Sequence, residues 1–164
     1  MNDNPRARDA IPYSFVAQAN AGHQQSFTKS IAILPFVNRS NDPDNEYFSD
    51  GITEDIINAL ASVQGLRVMA RTSSFAFKGK NVDVRTIGQI LGVSTVLEGS
   101  VRKVKQRVRI SARLIDAVEG THLWSKNFDR ELADIFEVQD EVSLLIADQI
   151  RENFGHFDLA DHLI

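Results

Sequence analysis

The stretch Arg71–Asn81, RTSSFAFKGKN, places an arginine, two lysines and two serine hydroxyls around two phenylalanines and a glycine. Cationic groups beside hydroxyl donors can hold an anion, and exposed aromatic rings can meet a partner. In open α/β sheets, ligands collect beyond the carboxyl ends of the parallel strands. The loop after the first expected strand (Asn38–Tyr47) and this loop after the second both emerge there. Asn38, Arg71, Ser73, Ser74, Phe75 and Lys78 are therefore the candidate ligand or partner residues. The competing reading is a packed connection: Phe75 and Phe77 fold back over the sheet end, and Thr72 and the serines satisfy backbone groups. That plainer reading is the favoured one.

A second stretch, VLEGSVRKVKQRVRISARLI, is locally basic in an acidic protein. Arg107, Arg109, Ser111 and Arg113 alternate strictly with Val108, Ile110, Ala112 and Leu114, the period of a strand with one wet face. With Lys105 and Gln106 as the turn, Val101 meets Ile110, Gly99 meets Ala112 and Leu97 meets Leu114 on the core face. Gly99 would leave room there for an overlying helix. On the other face Ser100 meets Ser111, Glu98 meets Arg113, and Arg102 meets Arg109. The pair Glu98–Arg113 is favourable and Arg102–Arg109 is not. Arg102, Arg107, Arg109 and Arg113 are the interface candidates, on a face expected to be free of the protein's own helices. Lys-Gln is a poor two-residue turn, because neither residue prefers positive φ.

A third group, Asp42, Asp44, Glu46, Asp50, Glu54 and Asp55, offers oxygen ligands at short spacing. It lacks the glycine and terminal glutamate of the twelve-residue calcium loop. The reading adopted is turn residues plus charge matched to a helix dipole, with Asp50 or Ser49 as the cap. No metal and no cofactor is expected. The sequence has no cysteine, which excludes thiol catalysis and Cys-zinc sites. His23, His122, His156 and His162 do not cluster, and neither a phosphate loop nor a zinc-helix motif is present. No catalytic residues are assigned.

The elements that must position these groups follow from periodicity. Residues 1–29 carry no sustained apolar period and read as a linker or flexible arm. SIAILPFV (30–37) reads as one buried strand, ITEDIINALASV as a helix, LRVMA as a second strand. DVRTIGQILG is a helix with Asp83 as cap, an apolar face of Val84, Ile87, Ile90 and Leu91, and Gly92 as stop. Three consecutive strands follow. A last helix runs from about Leu132 to Asn153, with Asp134 and Glu137 as a capping box and a stripe of Val138, Val142, Leu145, Ile146 and Ile150. Residues 30–153 form the domain, and 154–164 read as a tail or the start of a following element. The order β-α-β-α-β-β-β-α, with right-handed crossovers, gives an α/β fold with a five-stranded mixed sheet whose fourth strand is antiparallel.

The 164 residues suit one domain, and a net charge of −4 argues against nucleic-acid binding. No apolar run reaches the length of a membrane span, and the start lacks a signal peptide's apolar core.

Three stretches, SIAILPFVNRSNDPDNEYFSDGITEDI, RVMARTSSFAFKGKNVDVRTIGQILGVSTVLEGSVRK and RVRISARLIDAVEGTHLWSKNFDRELADIFEVQDEV, resemble the TolB amino-terminal-like domain. That domain occurs in bacterial multidomain proteins named as adenylate or guanylate cyclases and in winged-helix regulators, usually before tetratricopeptide repeats. The resemblance implies an anticodon-binding-domain-like α/β fold and no established catalytic residues. A cyclase needs metal-holding aspartates and transition-state Asn and Arg groups on its own fold, and no such set can be placed here. The expected role is a non-catalytic regulatory or scaffolding module of a larger signalling protein, mediating protein–protein or interdomain contact. The alternative is a small-ligand or anion sensor with its crevice at the two loops. Expected partners are other domains of the parent, another protein or a second copy; nucleic acid is not expected, and membrane only through a parent segment. The chain reads as a soluble bacterial domain whose compartment, cytoplasmic or periplasmic, follows from its parent.

Overall fold

A computed structural model describes the backbone of residues 29–162 and side chains through Phe154. The expected arm at 1–29 lies outside them except for Lys29, as do the side chains of the expected tail. Among the described residues ten elements follow one another: β1 (Lys29–Ile33), β2 (Val37–Asn38), α1 (Asn45–Ala61), β3 (Leu66–Val68), α2 (Arg71–Phe75), α3 (Val84–Leu91), β4 (Thr95–Val104), β5 (Arg107–Asp116), β6 (Thr121–Glu131) and α4 (Ile135–His162).

The sheet order is β3-β1-β4-β5-β6, with β2 also pairing β4. β3, β1 and β4 are parallel, as are β2 and β4, while β5 is antiparallel to both its neighbours. The expected mixed sheet and its antiparallel fourth strand are what the chain forms, but the strand count is six. The run read as one strand, 30–37, breaks at Leu34–Phe36. Pro35 has no N–H to give the ladder. Phe36 N–H instead donates to Thr53 Oγ1 on α1 at 3.0 Å. Four steps from Ile33 to Val37 face three from Leu97 to Ser100, so one residue bulges out of register.

The bulge sends Phe36 into the core, where it is 1% exposed. A Cβ at Gly99 would lie 2.5 Å from Phe36 Cε2 and would also strike the Ser111 carbonyl oxygen. Gly99 thus makes room for this ring rather than for a helix.

Helix α1 begins seven positions before Ile52, inside what composition marks as loop. Its buried stripe continues N-terminally from Ile52 through Phe48, Ser49 and Asn45. The two buried hydroxyls are satisfied within the helix: Ser49 Oγ donates to Asn45 O (3.1 Å) and Thr53 Oγ1 to Ser49 O (2.9 Å). Asp44, not Asp50 or Ser49, is the cap residue, and Glu46 is the acidic residue of the first turn. Asp50, Glu54 and Asp55 lie further along the helix, so the dipole does not account for them.

Helix α2 also falls within an expected loop. A five-residue helix containing two serines shows no apolar period to read. Helix α3 keeps its expected signals: Asp83 Oδ1 accepts from Arg85 N at 3.1 Å, and Gly92 closes it at φ 68°. At α4, Asp134 Oδ1 accepts from Phe136 N (2.9 Å) and Glu137 N (3.4 Å). Val138, Val142, Ile146 and Ile150 are buried, whereas Leu145 is largely outside the stripe. The backbone helix runs past Asn153 to His162.

Helices α1 and α4 cover one face of the sheet. There Ile31, Ile33, Phe36, Leu97, Val101, Ile110, Leu114 and Phe128 form the main core with both helices. The opposite face is covered only in part, where α3 lays Ile87 and Leu91 on Ala32, Leu34 and Val96. The remainder of that face, along β4, β5 and β6, is left to solvent.

Candidate functional site

Two surfaces gather the residues singled out by the sequence. The first is the carboxyl end of the parallel strands. There α2 and the turns after it lie against α1, and oppositely charged groups join them. Arg71 is ion-paired with Glu54, and its guanidinium sits 4.0 Å from the Phe75 ring centroid. Lys78 Nζ bonds both Asp50 carboxylate oxygens, at 2.8 and 2.7 Å, and lies 3.2 Å from Glu46. Its pKa is raised, first by the hydrogen bond to Asp50 and further by Glu46. These two cations are thus neutralised within the domain, and Glu46, Asp50 and Glu54 of the acidic cluster are their counterparts.

Asn38 closes its own loop: its amide donates to Asp42 O (3.0 Å), and its Oδ1 accepts from Ser40 N (2.9 Å). Ser73 is half-buried. Ser74 is fully buried, and its hydroxyl has no hydrogen-bond partner among the described residues. Phe75 and Phe77 are both half-buried, with Phe77 packed on the α3 core. The rings lie between the two expected extremes of a sealed sheet end and an open partner site.

The second surface is the uncovered sheet face. The hairpin register is the expected one throughout, from Leu97 opposite Leu114 to Val104 opposite Arg107. The two-residue turn forms despite its poor sequence, with Lys105 held at φ 56°. Arg102, Arg107 and Arg109 are exposed, and Arg113 is half-buried. Arg113 Nε donates to Glu98 Oε1 at 3.2 Å across the strands. Arg109 faces Arg102 on one side and Asp129 of β6 on the other, and donates to Asp129 Oδ1 at 2.7 Å. This hydrogen bond, aided by the charge attraction, raises the pKa of Arg109 and lowers that of Asp129. The unfavourable arginine pair is therefore offset from the third strand, which pairing within the hairpin alone does not reveal.

The two surfaces meet in a cleft of about 430 Å³ between the 77–82 segment and the sheet. Its polar lining includes Arg39, Lys78, Lys80 and the Glu98–Arg113 pair, and its apolar lining includes Leu34, Val37, Phe77 and Ile87. Arg39 was not singled out from the sequence. Its position follows from the β2 bulge, for which Pro35 is the only visible sign. Among the described residues no group of three or more His, Asp or Glu side chains is placed to hold a metal ion. No helix among them is long and apolar enough to cross a membrane.

The fold defines the class: an open mixed-sheet α/β domain of the TolB amino-terminal kind. The chain belongs to the family described as HilA/YgeH-like transcriptional regulator, second domain, whose model matches residues 27–145. It is 57% identical over 122 residues to a Rhizobium meliloti (strain 1021) protein provisionally named adenylate cyclase 3, across 74% of this chain and 21% of the relative. The chain thus spans about a fifth of that relative's length. Among solved structures it is similar to lipoprotein GNA1162 from Neisseria meningitidis, with a TM-score of 0.54 and 23% identity, covering 74% of this chain and 96% of that one. It is similar also to TolB from Acinetobacter baumannii, with a TM-score of 0.54 and 16% identity, covering 76% of this chain and 27% of that one. These structural likenesses concern the fold.

Proposed function

We propose that this domain is a non-catalytic regulatory or scaffolding module of a larger signalling protein, working through contact with another protein or another domain. The observation that carries the reading is the half-open sheet. One face is sealed by two helices, while β4 and β5 present Arg102, Arg107, Arg109 and Arg113 on the other without a helix above them. A stable domain does not need four arginines on one sheet face for its own folding, and exposed arginine is enriched where proteins meet.

Membership in a regulator-domain family supports this role. So does the relative with a cyclase name, of which the matched region is a small part. Any cyclase chemistry belongs to other regions of such a parent. The test has two arms. The purified chain, given ATP or GTP with magnesium or manganese, should form no cyclic nucleotide. Arg109→Glu should weaken association with the neighbouring regions of the parent while the domain stays folded, at a melting temperature lowered by the lost bond to Asp129. Cyclic nucleotide formation lost on mutating residues of this chain would refute the reading.

The 430 Å³ cleft favours a second reading, a sensor of a small ligand with an apolar body and an anionic group. Arg39 and Lys80 would meet the charge, since Arg71, Lys78 and Arg113 are already paired. A thermal-shift screen with nucleotides and organic anions tests it, because a ligand bound only by the native state raises the melting temperature.

A further inference from the structure

We infer that the tip of the β4–β5 hairpin is a docking site for an extended acidic segment of a partner protein, one with two carboxylates separated by a single residue. This rests on the contact-module reading above and gives it a partner chemistry.

Arg102, Arg107 and Arg109 share one face around a depression of about 280 Å³, lined also by Val104, Val108 and Asp129. Only Arg109 is closed by a carboxylate there. Among the described residues neither Arg102 nor Arg107 has an ion-pair partner, although Glu131 stands opposite Arg107 in register. The face therefore holds two arginine forks with no carboxylate hydrogen-bonded to them, although the Arg107 charge also acts on Asp129, and each is suited to grip a carboxylate in bidentate fashion.

Their spacing selects the occupant. Arg102 pairs with Arg109 and Val104 with Arg107, so Arg102 and Arg107 are diagonal neighbours on adjacent strands. Diagonal neighbours on one face lie about 7–8 Å apart. In an extended chain, side chains at i and i+2 point the same way and lie about 6.6 Å apart. An acid-x-acid segment therefore sets one carboxylate on each arginine. Val104, 58% exposed, gives the segment an apolar flank.

A small free anion fits this place poorly. The backbone N–H groups beneath it belong to a continuous strand ladder and form no cradle. Nucleic acid fits poorly too. Asp129 and Glu131 lie on the same face and repel a continuous run of phosphates more than two carboxylates set among neutral residues, and the chain's net charge is −4.

The test titrates the 164-residue chain, at low ionic strength, into a fluorescein-labelled octapeptide with two glutamates separated by one threonine. An isomer with the two glutamates adjacent serves for comparison, since its carboxylates point to opposite sides when extended. The alternating peptide should bind at least fivefold tighter than the isomer. Arg102→Gln and Arg107→Gln should each weaken it at least threefold, and Lys126→Gln, on the helix-covered side, should leave it unchanged. Equal binding of the two isomers, or equal loss with Lys126→Gln, overturns the inference. So does a DNA duplex that displaces the peptide through the same arginines. So does ultracentrifugation showing that the chain self-assembles and that Arg102→Gln dissolves the assembly. Failure of the peptide in a chain that also makes no cyclic nucleotide removes this inference alone, whereas cyclase activity removes the module reading whatever the peptide does.

Discussion

Gly99→Ala tests the packing that holds the arginine face in place. The added methyl would sit 2.5 Å from Phe36 Cε2 and 2.7 Å from Cζ, and would strike the Ser111 carbonyl oxygen on β5. Neither neighbour can yield easily. Phe36 is 1% exposed and its N–H is tied to Thr53, while the Ser111 backbone belongs to a strand paired on both sides. Overpacking of a core costs about 1–3 kcal/mol, and a clash against both backbone and a buried ring belongs near 3. With a urea m-value of about 1.5 kcal/mol per molar, the unfolding midpoint should fall by about 2 M. Trp124, partly buried against the main core, provides the fluorescence signal. Phe36→Leu removes the ring contact but not the carbonyl contact, so the double variant should be less destabilised than the sum of the singles by about 1 kcal/mol. A Gly99→Ala midpoint within 0.3 M of the parent, taken as roughly 0.5 kcal/mol at that m-value, would refute the reasoning. So would strictly additive singles, because the ring and the glycine would then not share one space.

Lys105→Gly should raise stability by about 1 kcal/mol, since a non-glycine residue at positive φ is strained; unchanged or lower stability would show that the turn relaxes without glycine. Ser74→Ala should likewise stabilise by about 1 kcal/mol by removing a buried hydroxyl without a partner, and a loss in urea titration would mean that the hydroxyl is bonded. Asp129 and Asp83 have depressed pKa values, through bonds from Arg109 and from the Arg85 backbone and side chain. A carboxyl depressed in the folded state stabilises above the ordinary aspartate pKa, and that stability is lost as pH falls through the folded value. The Asp129→Asn, Asp83→Asn double variant should therefore lose less stability than the parent between pH 5 and 2, and parallel curves would contradict the assigned shifts.

Local chemistry alone settled much of the fold. The Asp83 cap and Gly92 stop of α3 need only neighbouring residues, because a side-chain oxygen and a left-handed glycine act within one turn. The β4–β5 register was also legible. A slip of one residue would turn Ile110 and Leu114 to solvent and Arg109 and Arg113 into the core, so the alternation admits one pairing. The split of β1 from β2, the early start of α1 and the existence of α2 were decided by tertiary contacts. Ser49 and Thr53 read as loop or surface types, yet they are buried because the helix and Phe36 satisfy their hydroxyls. The candidate sites divide the same way. The sequence places Arg102, Arg107, Arg109 and Arg113 on one face of the β4–β5 hairpin, since alternation and the position of the turn do that. Only the folded chain brings Glu54 to Arg71, Asp50 to Lys78 and Asp129 to Arg109, because ion pairing depends on which distant elements are laid side by side.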